Sequence, residues 1–436
     1  MTDKVIVIGS TDVGRRTCAV LQEQGLNVVH LMQPTDAELH ELLAGDVSGV
    51  AVMLHDDIEA LRYSLAIEHI RPGVRLFVAI FDRSVRHEME LLIPNCFVAS
   101  PAYVAIPSMM AAALKLDSLA IKRTDSRKHP KWEEFKLVNN GAQISQFAVR
   151  SEWKRKRYWG ILSGQMRSYD SASLALLASL YVLVSMWVVD IALQWKYENF
   201  PQALYSATAV IAGVTAPEHP SHSWQMIQTS IFMLITIITL ATFGAGVVNH
   251  VLTGRRVGLI GRRVIPRKFH VVVVGLGQVG IRLASELKAL NIPVVGIEQS
   301  AEAGGVALAR EMNIPVVIGN ASDVRTLKRA NVSHARALCA MSSGEQDNIA
   351  VAVAARAMDT GATIVLRAGS NDAIAETRSL FSIGTVFDIN GMTAEYVAQS
   401  LSTDAPRVVI QHEDQLLTVS QSKDIVECRF VERCSC

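Results

Sequence analysis

His270-Val271-Val272-Val273-Val274-Gly275-Leu276-Gly277-Gln278-Val279-Gly280 leads into a helical pattern and then into Val294-Val295-Gly296-Ile297-Glu298. An unbroken run of valines reads as a strand buried on both faces of a parallel sheet, because neither face is left for polar residues. The glycines follow at G-x-G-x-x-G spacing. Gly275 permits the tight turn, Gly277 lets backbone approach a pyrophosphate, and Gly280 lets the next helix pack closely on the strand. That helix, over 281–290, points its free N–H groups at phosphate. Glu298 closes a second strand where a carboxylate takes both hydroxyls of an adenosine ribose. The order strand, turn, helix, strand, acid predicts a nucleotide site over Gly275, Leu276, Gly277, Gln278, Val279, Gly280 and Glu298. The plainer alternative is the same fold with an empty pocket.

Downstream, apolar runs at 314–319, 337–341, 363–367 and 385–389 read as four more strands, and 392–401 as a closing helix. Residues 269–402 therefore read as one α/β Rossmann-like domain with a doubly wound parallel sheet. Residues 1–116 repeat the pattern, with strands at 5–8, 26–31, 49–54, 75–80 and 96–99 and helices at 13–24, 58–70 and 107–116. The first turn there is Gly9-Ser10-Thr11-Asp12-Val13-Gly14. Thr11 puts a side chain where a pyrophosphate would lie, and the second strand ends Leu31-Met32-Gln33 without an acid. This copy is expected to keep the fold and to lack the dinucleotide.

Between the two lie a polar, basic stretch, 117–169, and a unit at 170–254. The stretches 171–195 and 224–252 are apolar, with Asp190 the single charged residue in the first and none in the second. At 1.5 Å per residue each is long enough for ~30 Å of hydrocarbon. Arg150, Lys154, Arg155, Lys156, Arg157 and Arg167 precede the first stretch, and Arg255, Arg256, Arg262, Arg263, Arg267 and Lys268 follow the second. Only Lys196 lies between, so both termini are expected in the cytoplasm. The connection contains an apolar run from Phe200, with Pro201 suited to a first helical turn. It reads as a loop re-entering the membrane over 200–217, or as a helix lying on the outer surface.

The bulk numbers agree with a chain partly in lipid: half of its 436 residues are hydrophobic. A net charge of +1 gives no reason to expect a nucleic-acid partner. The cysteines (Cys18, Cys96, Cys339, Cys428, Cys434, Cys436) are scattered, which argues against a disulfide framework. Met1-Thr2-Asp3-Lys4 leads directly into a strand, so no signal peptide is expected. No catalytic constellation accompanies Gly275–Glu298, so an enzyme is not expected.

Two spans about a re-entrant loop, followed by a G-x-G-x-x-G domain, resemble a prokaryotic potassium channel with an RCK (regulator of K⁺ conductance, KTN or TrkA-N) domain. The resemblance covers 269–402 and includes Gly319-Asn320-Ala321-Ser322-Asp323, the run from Leu327 to Ala335, and Asp347-Asn348. It implies that Asn320, Ala321 and Ser342 join the site, with Asn320 standing where the family has Asp. It implies a cofactor, NAD(H) or an adenine nucleotide, and assembly with itself as a homotetramer around a pore for a monovalent cation. Residues 1–116 resemble a degenerate RCK domain; 403–436 read as a short C-terminal tail, and Arg407 to Cys436 are expected to be too few for the family's full C-terminal lobe.

Ala203-Leu204-Tyr205 matches a pore-helix motif. The filter does not follow, because neither register of the loop supplies the paired glycines of a carbonyl ladder. Thr208, Gly213, Thr215 and Glu218 are the pore-lining candidates, and poor selectivity for potassium is expected. The resulting expectation is a nucleotide-regulated cation channel subunit, multi-pass in the inner (plasma) membrane. The alternative is a non-conducting, membrane-anchored nucleotide sensor acting through partners.

Overall fold

The computed structural model describes residues 4–124, 131–138, 141–147, 171–195, 199–212, 223–252, 265–369, 383–402, 405–412, 415–420 and 426–430. The chain divides into two compact units, 1–164 with 265–436, and 165–264.

The first unit opens with β1 (Lys4–Ile8), α1 (Asp12–Glu23), β2 (Asn27–Leu31), α2 (Asp36–Ala44), β3 (Gly49–Val52), α3 (Asp57–Ile70), β4 (Arg75–Ala79), α4 (Arg83–Leu92), β5 (Cys96–Ala99) and α5 (Pro101–Ala113). The strands form a parallel sheet in the order β2-β1-β3-β4-β5. Helix α5 begins earlier than the sequence suggests. Pro101 takes the first turn, Ser100 caps the N–H of Tyr103 at 3.2 Å, and Pro107 lies inside the helix.

Within 117–169, expected as a basic linker, the chain instead forms strands. β6 (Ala120–Arg123), β7 (Trp132–Val138) and β8 (Gly141–Phe147) form an antiparallel sheet. Trp132 and Phe135 are buried on it, and burial of such side chains is what holds a short sheet together.

In the second unit stand α6 (Ser171–Gln194, 24 residues), α7 (Phe200–Ala212) and α8 (Ser223–Leu252, 30 residues). α7 packs on both long helices and buries Ala203, Ala207 and Val210. Among the described residues no helix is long and apolar enough to cross a membrane. Helices therefore stand where spans are expected, while the described residues alone do not meet the requirement for a span.

The first unit resumes with β9 (Val271–Val274), α9 (Gln278–Ala289), β10 (Val294–Glu298), α10 (Gly304–Glu311), β11 (Val316–Ile318), α11 (Val324–Arg329), a 3₁₀ turn over Val332–His334, β12 (Ala337–Ala340), α12 (Glu345–Arg356), β13 (Thr363–Ala368), β14 (Thr385–Asp388) and α13 (Ile389–Ser402). All six strands are parallel in the order β11-β10-β9-β12-β13-β14. Strand order reverses between β9 and β12, which opens a crevice at their carboxyl ends.

The amino-terminal sheet is one strand shorter. After β2 and α2 the chain returns straight to β3 beside β1, so β11 and the loop beyond it have no counterpart there.

The two sheets share one core. Val5, Val7 and Phe77 from one, and Val271, Val273 and Phe387 from the other, enclose it with α1, α5, α9 and α13. The packing is reciprocal: α5 lies on α9 and α13 lies on α1. Arginines cap each crossing helix, Arg75 donating to Leu401 O at 3.4 Å and Arg336 to Leu114 O. A cation at the last carbonyls offsets the negative end of a helix dipole.

The expected tail also folds. β15 (Val408–His412), β16 (Gln415–Val419) and β17 (Val426–Phe430) form an antiparallel sheet. Val408, Ile410 and Leu417 cluster with Ala120 and Phe135 of the other small sheet. Lys122 Nζ donates to Arg407 O at 2.6 Å, and the Arg407 guanidinium donates to both carboxylate oxygens of buried Glu133.

Candidate nucleotide-binding site

Each glycine of the 275–280 turn does something different. Gly275 has φ +78°, and a Cβ there would lie 2.9 Å from Ser342 N. A Cβ on Gly280 would sit 1.9 Å from Gly275 O, so the helix closes on the strand only without one. A Cβ on Gly277 would meet nothing within 4 Å. Gly277 is also the N-cap of α9 and offers no side-chain hydrogen bond. Its surroundings are open, and the N–H groups of the first helical turn face a space that suits an anion.

Glu298 stands over this opening. Its Oε2 accepts from Leu276 N at 2.7 Å, and its Oε1 accepts from Gln299 N at 2.8 Å. Glu298 O accepts from Gly319 N at 2.9 Å, which brings the third-strand loop to the same edge. In that loop Asn320 Oδ1 accepts from Ser322 N and Oγ, forming an Asx turn. Asp323 caps α11 through Arg325 N at 2.9 Å, a bond that holds its carboxyl below the usual range. On the other side Asn348, buried, fixes Ser342: Oδ1 accepts from Ser342 N and Nδ2 donates to Ser342 O and Arg367 O, all at 2.9 Å.

The structure thus brings Gly275, Gly277, Gly280, Glu298, Asn320 and Ser342 to one crevice. Gln278 is exposed at its mouth. Leu276, Val279 and Ala321 are buried in the core, so only their backbones are available there. Gly296 and Gly305 were not anticipated. A Cβ on either would collide with Leu276, at 2.9 Å from its side chain and 1.7 Å from its carbonyl. Glycine inside a strand signals such close approach. Among the described residues no group of three or more side chains could hold a metal ion.

At the amino-terminal turn the space is filled. Thr11 is buried, donates to Met53 O at 3.0 Å and accepts from Gly14 N at 3.0 Å. The register of β1 on β2, with Ile8 opposite Leu31, places Met32 where the other sheet has Glu298.

In the second unit Thr208 donates to Leu204 O at 2.7 Å and accepts from Trp187 Nε1 at 3.2 Å. Its hydroxyl joins α7 to α6. Gly213, Thr215 and Glu218 lie outside the described residues, as do the basic residues before 171 and at 255–263.

Residues 271–386 match the TrkA-N domain. Over 210 residues the chain is 21% identical to potassium channel protein 1 of Methanocaldococcus jannaschii, covering 47% of this chain and 62% of that protein. The chain therefore spans less than two thirds of that relative. Among solved structures, the GsuK RCK domain superposes with a TM-score of 0.51 at 13% identity, over 92% of this chain and 77% of the other. The GsuK channel bound to NAD gives 0.51 at 12% identity, over 92% and 64%. At such identities the likeness is one of fold. The paired parallel-sheet domains thus share the fold of the GsuK RCK domain.

Proposed function

We propose that the chain is the subunit of a nucleotide-regulated cation channel and that NAD(H) or an adenine nucleotide binds between Gly275 and Glu298. The carrying observation is the open space at Gly277 beside a carboxylate anchored on the same loop. The GsuK channel bound to NAD supports the choice of ligand, and the M. jannaschii relative supports the channel context.

Support for the membrane unit is physical. α6 and α8 are continuous helices of 24 and 30 residues. Tyr181, Val188, Trp224, Ile227, Leu234 and Ile238 are exposed on them. An apolar surface of that kind needs lipid or further copies of the chain. Both termini face the cytoplasm in this reading, and four chains enclose the pore. Nucleotide shifts gating by its differential affinity for the two states of the pore. The domains act as regulators and carry out no reaction.

One observation favours the non-conducting sensor instead: the Thr208 hydroxyl, a lining candidate, is committed to Leu204 and Trp187. Planar bilayers holding the purified full-length protein separate the two. The channel reading expects cation currents that change when NADH is added on the cytoplasmic side; silent bilayers with protein that still binds NADH would favour the sensor.

A further inference from the structure

We propose that α11 and the turn behind it carry nucleotide binding to the incoming chain at 266–270, and that Asn331 is the positioning residue that fastens the two. This rests on nucleotide occupying the Gly275–Glu298 crevice and goes further by assigning the route.

Helix α11 has six residues, so it is ~9 Å long and too short to bend. Thr326 and Leu327 are buried, and Leu327 sits in the core with Val272 and Val295. Its leading end is tied to the nucleotide crevice. Gly319 N donates to Glu298 O at 2.9 Å, Arg329 Nη1 donates back to Ile318 O at 3.1 Å, and Asp323 caps the first turn.

Its trailing end is tied to the segment that arrives from the second unit. Asn331 Nδ2 donates to Pro266 O at 3.2 Å and to Arg267 O at 2.7 Å. His270 Nε2 donates to Ala330 O at 3.0 Å, and Phe269 N donates to His334 O at 3.2 Å. Asn331 has φ +58°, a left-handed conformation that asparagine tolerates better than most residues. That conformation ends the helix and turns the side-chain amide onto the two carbonyls. A ligand that moves the Gly319–Asp323 loop therefore tilts a rigid rod whose far end holds 266–267. Coupling of this kind needs a contiguous physical element that both sites bias, and α11 touches both.

Hydrogen exchange of the full-length protein in detergent micelles, with and without saturating NADH, tests the route. In the wild type NADH is expected to change exchange of the 266–270 amides. Asn331→Asp keeps a residue suited to positive φ and an acceptor for His334 but has no amide to donate; Asn331→Gly keeps the backbone conformation alone. Both are expected to retain NADH affinity by calorimetry while losing the effect on 266–270. The proposal is overturned if wild-type protein binds NADH without any change at 266–270, or if both variants keep the full response. Absence of NADH binding in the calorimeter would overturn the nucleotide reading itself, and this inference with it.

Discussion

The carboxylate of Glu298 accepts a hydrogen bond from the backbone N–H of Leu276 at 2.7 Å, so the acid that ends β10 is anchored on the glycine turn that follows β9. Its second oxygen is held by Gln299 N at 2.8 Å. Each oxygen keeps a further lone pair for an acceptor bond. The carboxylate's position is fixed before a ligand arrives.

Ribose selectivity follows. A carboxylate so placed accepts from a 2′,3′-diol and repels a 2′-phosphate. Hydrogen bonds to charged groups contribute ~1.5–3 kcal/mol, so Glu298→Ala is expected to weaken NADH binding by about ten- to a hundredfold. Calorimetry on the full-length protein should also show NADH tighter than NADPH. Tighter binding of NADPH would contradict the role given to Glu298.

Two glycines of one turn should fail in opposite ways. Gly277→Val is expected to abolish nucleotide binding and leave the melting temperature of the apoprotein nearly unchanged, because its Cβ meets no protein atom within 4 Å. Gly280→Ala drives a Cβ to 1.9 Å from Gly275 O and should lower stability by ~1–3 kcal/mol or more, as overpacking does. Melting curves and binding isotherms for the pair check this. Equal losses of stability in both variants would mean that Gly277 is structural.

His270 sets a pH dependence. It is fully buried, Nε2 carries the proton donated to Ala330 O, and burial pushes its pKa down from 6.5 to about 4. The unfolded chain therefore binds a proton that the folded chain refuses between those values. Stability is complete above pH 6.5, falls as pH drops toward 4, and levels off below, a loss of at most about 3 kcal/mol. Of the groups around it, His334 also disfavours the charged ring. Melting of wild type and His270→Gln between pH 7.5 and 5 should converge as pH falls; parallel curves would show that His270 contributes nothing to the slope.

The conducting path, if four chains form one, should discriminate weakly. Gly213 is the sole glycine of the loop, and the fixed φ of Pro217 disfavours a repeated carbonyl ladder. Sodium and potassium are expected to permeate within about an order of magnitude of each other, ~1.4 kcal/mol or less in effective barrier. A reversal potential near the potassium equilibrium value would contradict this.

How legible the molecule was depends on how local each signal is. Val271–Val274 announces a central strand because both faces are apolar, and the glycine turn and Glu298 follow within one βαβ unit. The small sheets were missed because their partners are distant in sequence. Glu133 reads as a solvated acid, yet it is buried against Arg407, 274 positions away. Phe135 needs Val408 and Leu417 to complete its cluster. The shorter amino-terminal sheet, by contrast, was legible as a count: five strand patterns over 1–116 against six over 269–402, and a strand stands at each. Asn331 did carry a signal, an asparagine just beyond a short helix, where a left-handed cap is common.

The two domains differ at their glycine turns. Thr11 seals one turn with two hydrogen bonds, and the sheet beside it has no β11 to present a third-strand loop. The other turn is open at Gly277. Calorimetric titration of the full-length protein with NADH tests this most directly. One site per chain, lost in Gly277→Val and retained in Thr11→Val, is the predicted result. Two sites per chain, or binding that survives Gly277→Val, would contradict it.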